Sequence, residues 1–312
     1  MPEGDPDLSH ISRSDYAHIY EPAEDSFLLM DALKADLPFL NSRLSLAPIC
    51  LEIGSGSGFV SAYASSLLPS SFWFATDINP RAIEITQQTY KQNKVRGDVI
   101  LTNLTNGLNI PKGIEMAFFN PPYVPTPSSE LQGTCLIYIY VSMYFMHSCS
   151  IKLYNNPFYN SYSLGNGINR AWAGGERGRE ILDLLFPLLP HVLSKRGIFY
   201  TVLLPANDPE EIIEIMKPWG FRAKKILERS TPLERGLHVL RFSRGETERE
   251  IEKDTQESAE PQEDNKSTSI GMIHSSTSVR QGGFEPDEDE EESEDEDLDE
   301  SDEDDTDRIV LF

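Results

Sequence analysis

The chain has 312 residues, with 51 acidic and 27 basic side chains and a formal net charge of −24 at pH 7. Eighteen of the acidic residues lie between Glu285 and Asp307, a stretch without Lys or Arg, so the rest of the chain carries a net charge of only −6. Such a body lacks the excess of basic residues that duplex DNA binding usually requires. Non-specific DNA binding is therefore not expected.

The cysteines and the N-terminus bear on the compartment of the protein. The three cysteines are an odd number without C-x-x-C spacing, which indicates neither a disulfide framework nor a zinc site. The segment from Met1 to Asp15 is acidic and polar, with no apolar core of the kind that a secretory signal has. We expect a protein of the cytoplasm, with the nucleus left open as a second compartment, and with no metal site and no membrane partner.

Composition divides the chain into three parts: a flexible N-terminal arm over residues 1–19, one folded domain over 20–243 and a tail over 244–312. From about Gly245 onward the sequence loses periodicity and is rich in Glu, Asp, Ser, Thr and Gln. Such a segment cannot bury enough apolar surface to offset the entropy of ordering, so the tail is predicted to be disordered. Its acidic run, 285–307, is either a solvated tail or an interaction segment for a basic partner such as a histone or a ribosomal protein.

Within residues 20–243, short apolar runs alternate with helical patterns, which is typical of an α/β protein with a mostly parallel sheet. The C-terminal part predicts an antiparallel strand pair. The predicted strands are Ile49–Ile53, Phe72–Thr76, Asp98–Leu101, Met116–Phe119, Gly197–Leu204, Ala223–Leu227 and Leu237–Phe242. The predicted helices run from about Gly58 to Leu68, from Pro80 through Tyr90, from Ile181 to Leu189 and from Asp208 to Met216, with Asp208 as the cap of the last one.

One segment, about 134–164, does not fit this alternation. It contains Cys135–Met146, a run with almost no polar residues that is shorter than the roughly 20 residues a membrane-spanning helix needs. The run has strong β-propensity and would favour aggregation if exposed. Three interpretations stay open. The segment is an insertion foreign to the fold, as a mis-spliced or mis-predicted gene would produce. Otherwise it is a lid, or it is a loop that touches a membrane.

A glycine-rich segment, Gly54-Ser55-Gly56-Ser57-Gly58, follows the first predicted strand. Glycines at this place let the backbone turn sharply and approach a ligand closely, so a nucleotide-like cofactor is expected. A dinucleotide fingerprint would need glycine at position 59, which is Phe59. Asp77, at the end of the second strand, is placed to accept hydrogen bonds from both hydroxyls of a ribose, in S-adenosylmethionine as in NAD.

A second motif, Asn120-Pro121-Pro122-Tyr123, follows the fourth predicted strand, at the edge where an open α/β sheet binds ligands. The prolines stiffen the backbone, so the Asn120 side-chain oxygen and the Pro121 carbonyl can accept the two hydrogens of an amide or exocyclic amine. Tyr123 would pack on the flat face of that group. We predict that Asn120, Pro121, Pro122 and Tyr123 are catalytic and orient a planar nitrogen for methyl transfer without a strong general base.

These motifs, with Glu52 and Asp77-Ile78-Asn79-Pro80, resemble those of HemK-type methyltransferases, class I S-adenosylmethionine-dependent enzymes that modify glutamine in translation release factors. Two further segments narrow the resemblance to the eukaryotic and archaeal branch, namely Tyr20–Phe27 and Ala171–Gly175 with Gly178-Arg179-Glu180. The resemblance covers about 20–242 apart from the 134–164 segment. It implies a class I methyltransferase fold, a Rossmann-like sheet with helices on both faces, and S-adenosyl-L-methionine as cofactor.

The resemblance also implies a set of cofactor contacts. At residue 103 the chain departs from the family, whose members usually have Asp before the following Leu. Asn103 can still accept a hydrogen bond from the adenine amine, but without a charge, so the cofactor affinity is expected to be lower by about 1 kcal/mol. The implied contacts are Ser26, Glu52, Gly54, Gly56, Asp77, Asn103, Leu104 and Asn120.

Two partners are implied by the same resemblance. One is the class I peptide release factor, as the substrate. The other is a small zinc-binding activator subunit of methyltransferases, which would form a heterodimer by adding a strand at the sheet edge near the third strand.

Three functions remain for comparison at this point. The first is methylation of the glutamine side-chain amide in the Gly-Gly-Gln motif of the release factor. The second is methylation of lysine in histones or adenine in DNA; the charge of the body disfavours DNA, and no obvious base for a lysine adjoins Tyr123 in sequence. The third is a catalytically impaired binding protein, if the 134–164 segment covers the substrate groove.

Overall fold

The computed structural model describes residues 4–128, 172–230 and 236–245. Among these residues it has seven strands and seven α-helices. The strands are β1 (Ile49–Ile53), β2 (Phe72–Asp77), β3 (Gly97–Leu101), β4 (Ile114–Phe119), β5 (Leu193–Leu203), β6 (Phe221–Arg229) and β7 (Leu237–Arg244). The helices are α1 (Glu24–Ala35), α2 (Leu37–Arg43), α3 (Phe59–Leu67), α4 (Pro80–Gln92), α5 (Glu180–Leu185), α6 (Leu189–Val192) and α7 (Pro209–Met216).

All seven strands belong to one sheet, in the order β3-β2-β1-β4-β5-β7-β6. Strands β1 to β5 pair in parallel, whereas β7 runs antiparallel to both β5 and β6. The predicted fold class, a mostly parallel Rossmann-like sheet with a C-terminal antiparallel pair, is therefore confirmed. Because the parallel strands end at the same edge, the loops after β1, β2, β3 and β4 lie side by side there.

The strands alternate their side chains between two hydrophobic clusters, one on each face of the sheet. On β5, Ile198 and Tyr200 belong to the cluster that contains α1 and α3, and Phe199 and Leu203 belong to the one that contains α5 and α7. All four side chains are fully buried. This period of two explains why β5 reads as a continuous apolar run: a strand buried on both faces needs no polar side.

Two side chains cap helices, Asn79 on α4 and Asp208 on α7, and the Asp208 cap is the one predicted from the sequence. The Asn79 side chain accepts a hydrogen bond from Arg81 N at 3.0 Å, with Pro80 at the first turn of α4. The Asp208 side chain accepts one from Glu211 N at 3.2 Å and caps α7. Each cap satisfies a backbone N–H that the first turn of a helix leaves without a partner.

Two helical regions differ from the sequence-based expectation. Helices α1 and α2 were not predicted, because their apolar residues are too close to continuous for a clear helical period. The predicted helix Ile181–Leu189 is instead divided into α5 and α6. Pro187 lies between them and lacks the N–H that a continuous helix would use, which explains the break.

The N-terminal arm also differs from expectation, because its described residues, 4–19, pack on α4 rather than standing free. The Asp7 carboxylate accepts a hydrogen bond from Gln92 at 2.7 Å, and Asp15 forms an ion pair with Arg81 at 2.5 Å. Ile19 is buried beside Ala82 and Ile85 of α4. The apolar contact of Ile19 and the ion pair of Asp15 thus hold the described part of the arm along α4.

Three sequence-based predictions concern residues outside the described ranges: the 134–164 segment, Ala171, and the tail with its acidic run at 285–307. Across the part of the chain that the structure does describe, no helix is both long and apolar enough to cross a membrane.

Candidate active site

The two motifs predicted from the sequence lie side by side at the carboxyl edge of the sheet. Strands β1 and β4 pair in parallel with Ile53 opposite Phe119, so Gly54 and Asn120 follow on neighbouring strands. A Cβ placed on Gly54 would lie 2.8 Å from the Phe119 ring. Gly54 also has a φ of +67°, a conformation that favours glycine, so no other residue fits this turn readily.

The glycine-rich loop is held from behind by two threonines of α4. Thr86 Oγ1 lies 3.2 Å from the Gly56 carbonyl oxygen, and the Thr89 hydroxyl donates to the Ser57 carbonyl at 2.6 Å. On the other side of the loop, a Cβ added to Gly56 would meet no heavy atom of the described residues within 4 Å. The loop is therefore fixed on its protein side and open on the side where a ligand can approach its backbone.

Asp77 lies at the end of β2, next to this loop. Its carboxylate accepts hydrogen bonds from Gly56 N at 2.9 Å and from Asn79 N at 2.8 Å. Burial raises the pKa of Asp77, and these backbone hydrogen bonds partly oppose the increase. Each carboxylate oxygen has a further lone pair, so the group can still accept hydrogen bonds from a ribose.

Glu52 is buried beneath the same loop, with 5% of its surface exposed. Its carboxyl group accepts a hydrogen bond from the Ser61 hydroxyl of α3. Burial raises the pKa of Glu52 to about 8, and the nearby charge of Asp77 adds to the increase. The half-buried Asp77 and the buried Glu52 make this end of the sheet suited to a cationic ligand, which would favour the ionised form of both acids, and unsuited to an anionic one.

Asn103 and Leu104 follow β3, beside the end of β2. The two strand ends are joined by a hydrogen bond from Thr102 N to the Asp77 carbonyl at 2.9 Å. Leu104 is buried and has a φ of +51°, an uncommon conformation for a residue other than glycine. Asn103 is half-buried at the position where the resemblance implies the adenine contact.

Asn120 is held by its side-chain nitrogen and leaves its side-chain oxygen without a partner in the described part of the chain. Nδ2 donates a hydrogen bond to Asp25 Oδ2 at 2.9 Å. Oδ1 is buried and has no hydrogen-bond partner among the described residues. A buried polar atom without a partner is unfavourable by about 1–3 kcal/mol, so it is a strong acceptor for a donor that enters the site.

Tyr123 is almost fully buried, with 5% of its surface exposed, and Pro121 is buried as well. The Tyr123 hydroxyl donates to Asp25 Oδ2 at 3.1 Å, the same oxygen that binds Asn120. The ring also belongs to the hydrophobic cluster around α1 and α3. The predicted packing of this ring on a substrate stays a prediction, because little of the ring is accessible here.

Asp25 is a residue of the site that the sequence reasoning did not assign. It lies in the first turn of α1, where the helix dipole favours a negative charge, and it is 3% exposed. Its Oδ1 accepts hydrogen bonds from Ser26 N at 2.7 Å and from the Tyr20 hydroxyl at 3.2 Å. Ser26, predicted as a cofactor contact, is thereby linked to Asn120 through the Asp25 carboxylate. The only sequence signal for Asp25 was its place in the Tyr20–Phe27 motif.

The Asn120–Val124 loop is supported by a second set of residues. The sequence reasoning gave these residues no role. Asn207 is fully buried, and its Nδ2 donates to the Tyr123 carbonyl at 2.8 Å and to the Gly178 carbonyl at 3.1 Å. Val124 N donates to the Trp172 carbonyl at 3.1 Å. A Cβ on Gly178 would lie 2.1 Å from the Tyr123 carbonyl oxygen. The glycines of this segment thus permit close contact of two backbones.

The arrangement as a whole combines an open glycine loop and two acids, the half-buried Asp77 and the buried Glu52, with an acceptor, which is the oxygen of Asn120 on the neighbouring strand. These residues fit a cationic nucleoside cofactor, with Asp77 for a ribose and the acids for a positive charge. A group with an N–H bond can be held beside it by Asn120.

Comparisons with known proteins agree with this geometry. Residues 26–132 match the methyltransferase small domain family. The chain is 39% identical over 238 residues to methyltransferase HEMK2 of Homo sapiens, which spans 75% of this chain and 94% of the human protein. It is 29% identical over 250 residues to the eRF1 methyltransferase catalytic subunit mtq2 of Schizosaccharomyces pombe, which spans 77% of this chain and 95% of that protein.

Solved structures include a similar chain from the E. cuniculi Mtq2-Trm112 complex, which is described as responsible for methylation of the eRF1 translation termination factor. The similarity covers 73% of this chain and 99% of that chain, with 22% sequence identity and a TM-score of 0.47.

Proposed function

The chain belongs to the HEMK2 family of methyltransferases, and from this membership we propose that it methylates the glutamine side-chain amide in the Gly-Gly-Gln motif of the eukaryotic class I release factor. The S. pombe relative is named for the same factor, eRF1. The relatives do not favour the alternatives, which were lysine in histones, adenine in DNA and a non-catalytic binding protein.

S-adenosyl-L-methionine is the proposed cofactor, and when bound it supplies a methyl group on a positively charged sulfur. Asp77 would accept the ribose hydroxyls, Glu52 would contact the cofactor beneath the loop, and a bound sulfonium would favour the ionised form of both acids. Gly54 and Gly56 would let the backbone approach the ligand, with Ser26 on the opposite side. Asn103 and Leu104 would border the adenine, and Asn120 would contact both the cofactor and the substrate.

One observation carries the substrate proposal, namely the buried Oδ1 of Asn120, which has no partner in the described part of the chain. A primary amide nitrogen offers two hydrogens, which Asn120 Oδ1 and the Pro121 carbonyl would accept together. This holds the nitrogen lone pair toward the methyl group. A methyl group from the cofactor would replace one hydrogen on this nitrogen, with the proton released to water and the electron pair of the sulfur–carbon bond left on the sulfur. The residues supply orientation rather than a base.

A small activator subunit is the proposed partner, bound at the edge strand β3. In the described sheet, β3 has a neighbour on one side only, and an edge strand presents backbone groups to which another chain can pair. Leu101 at the end of β3 is 37% exposed and Ile78 after β2 is 44% exposed, so apolar surface lies there for a partner to cover. Zinc binding by the partner, and a basic partner for the tail at 285–307, remain expectations from the sequence.

The test is transfer of labelled methyl groups to the release factor, to its Gln-to-Asn variant and to histone, with and without the activator. We expect label on the release factor alone, lost in the Gln-to-Asn variant. Asn120→Ala should reduce the rate at least ~100-fold, because it removes the acceptor for the reacting amide. Asn41→Ala, an exposed change on α2, is the matched control. Label on histone but not on the release factor would contradict the proposed substrate.

A further inference from the structure

Asp25 is surrounded by groups that donate hydrogen bonds to it. Oδ2 accepts from Asn120 Nδ2 and from the Tyr123 hydroxyl, at 2.9 and 3.1 Å. Oδ1 accepts from Ser26 N and from the Tyr20 hydroxyl, at 2.7 and 3.2 Å. Because an ionised carboxylate accepts hydrogen bonds and does not donate them, only a donor can be matched to it at each of these positions.

This polarity decides which end of the Asn120 amide faces the substrate. An Asn side chain has an NH2 group and an oxygen of similar size, and either end can turn toward a neighbour. Beside a carboxylate the oxygen would be repelled, so the NH2 group turns to Asp25 and the oxygen turns away. The oxygen that turns away is the buried Oδ1, for which the described residues offer no partner.

We propose that Asp25 is a positioning residue that fixes the orientation of the Asn120 amide, so that the site presents an acceptor, and not a donor, to the reacting nitrogen. This inference rests on the proposed function, in which the Asn120 oxygen accepts a hydrogen bond from the reacting amide of the substrate. Asp25 itself touches neither the methyl group nor the nitrogen. It lies 95 residues from Asn120 in sequence, and α1 brings it there.

The exchange of the two side chains tests this assignment most sharply. In Asp25→Asn, residue 25 gains an NH2 group, and the Asn120 oxygen can turn toward it. In Asn120→Asp, two carboxyl groups lie about 3 Å apart, and one of them has to bind a proton. In the double variant, the amide now at position 25 would donate to the carboxylate now at position 120, whose second oxygen again faces the substrate as an acceptor.

We expect kcat to fall about 10- to 100-fold in Asp25→Asn and in Asn120→Asp, consistent with the loss of one oriented hydrogen bond. In Asp25→Asn, the KM for the release factor and the cofactor dissociation constant should stay within about threefold, since Asp25 itself touches neither the methyl group nor the nitrogen. The double variant should recover at least about tenfold over either single variant. Asp31→Asn, the same change at an exposed position of α1, should leave kcat unchanged.

Thermal unfolding of each variant separates this role from a structural one, because loss of folding alone would not be reversed by the exchange. If Asp25→Asn does not fold, the double variant decides: a folded and active exchange supports the proposal, and a folded but inactive one overturns it. Normal kcat in Asp25→Asn overturns it as well. If that normal kcat is accompanied by a raised cofactor dissociation constant, Asp25 is a cofactor ligand instead of a positioning residue.

A measurement without substrate keeps this inference separate from the proposed function. In protein labelled with 15N-asparagine, the Asn120 side-chain amide is identified by its absence in Asn120→Ala. Its proton bound to the carboxylate should resonate downfield in the wild-type protein and move upfield by roughly 0.5 ppm or more in Asp25→Ala, since a charge-assisted hydrogen bond is lost. An unchanged shift overturns the positioning role. Failure of wild-type methyl transfer together with the expected shift would instead refute the proposed substrate alone.

Discussion

Glu52 is an ionisable residue of a kind that folded proteins rarely bury without an ion pair, and Asp77 lies half-buried near it. In the described residues around them, their partners are a hydroxyl and backbone N–H groups rather than cations. Burial raises the pKa of both groups. Such a site is unfavourable for the protein alone and becomes favourable when a cation binds, which is what a sulfonium cofactor would provide.

The pKa of Glu52 leads to a prediction about stability. Its folded value of about 8 exceeds its ordinary value of 4.5, so the folded chain holds a proton that the unfolded chain releases. This protonation stabilises the fold fully below pH 4.5 relative to an ionised group, and the advantage is lost as the pH rises to about 8. Glu52→Gln removes the ionisation while its amide oxygen can still accept from Ser61.

We therefore expect Glu52→Gln, without cofactor, to raise the free energy of unfolding by about 2–5 kcal/mol relative to the wild-type protein near pH ~8.5, and to have little effect near pH ~4.5. Thermal unfolding from about pH 4.5 to about pH 9 measures this difference. Glu210→Gln, on the exposed side of α7, is the control for removal of one carboxyl group. A difference that does not grow with pH would show that Glu52 is not protonated in the folded state.

The Asn120–Val124 loop depends on a neighbouring segment that contributes no predicted site residue. The segment after residue 172 lies against the loop through backbone hydrogen bonds, among them Gly174 N to the Val124 carbonyl at 2.8 Å. Asn207 joins both segments from the turn after β5. This explains the glycines of the Gly174–Gly178 region, whose resemblance to the family carried no role from the sequence alone. They allow two backbones to meet without side chains between them.

Gly178→Ala tests this contact. The added Cβ would lie 2.1 Å from the Tyr123 carbonyl oxygen, at a φ of +66°. The two backbones must separate, so the hydrogen bond from Asn207 to Tyr123 would be lost. We expect kcat to fall at least ~100-fold and the protein to lose about 3 kcal/mol of stability, because strain and a buried hydrogen bond add.

Gly220→Ala is the matched control, since Gly220 has a similar φ of +80° but no heavy atom of the described residues within 4 Å of the added Cβ. It should lose only about 1 kcal/mol, from backbone strain, and keep its kcat. Stability and kcat are measured by thermal unfolding and by methyl transfer. Equal effects of the two substitutions would show that the close contact at Gly178 has no catalytic importance.

At the scale of the whole molecule, a buried ion pair ties the N-terminal helices to the C-terminal strands. Asp36, between α1 and α2, accepts hydrogen bonds from the Tyr200 hydroxyl at 2.6 Å and from Arg241 at 2.9 Å. Arg241 also lies over the Phe39 ring, 3.4 Å from its centroid. The position of α1, and with it that of Asp25, therefore depends on β5 and β7, which come from the C-terminal part of the domain sequence.

The edge strand β3 leads to a prediction about assembly. Leu101→Lys places a charge in the apolar surface proposed for the activator, so we expect the complex to weaken at least ~10-fold while the cofactor dissociation constant changes little. Leu46→Lys is the control. Leu46 is 97% exposed but precedes β1, at the amino ends of the parallel strands, whereas Leu101 lies at the carboxyl end of β3. Co-purification and titration with the activator measure both. Equal binding of the two variants would place the partner elsewhere.

Much of the fold and about half of the site followed from local sequence. The strands were recognised because buried strands are short apolar runs, and the two ligand loops because glycine and proline constrain the backbone within a few residues. Strand ends were less exact: β5 begins at Leu193 rather than at Gly197, since the polar residues before Gly197 continue the strand at its exposed end. The interruption of the helix at Pro187 shows the same kind of local effect, which composition alone underestimates.

The sequence by itself determined the type of chemistry, because the residues predicted to approach the cofactor and the amide lie in two short motifs on neighbouring strands. Only the tertiary structure decided how those residues are held. Asp25 meets Asn120 across 95 positions, and Asn207 meets Tyr123 across 84. Hydrogen bonds over such separations leave no period or motif in the chain, since they depend on where the sheet places each loop. The orientation of the Asn120 amide is therefore a property of the folded domain.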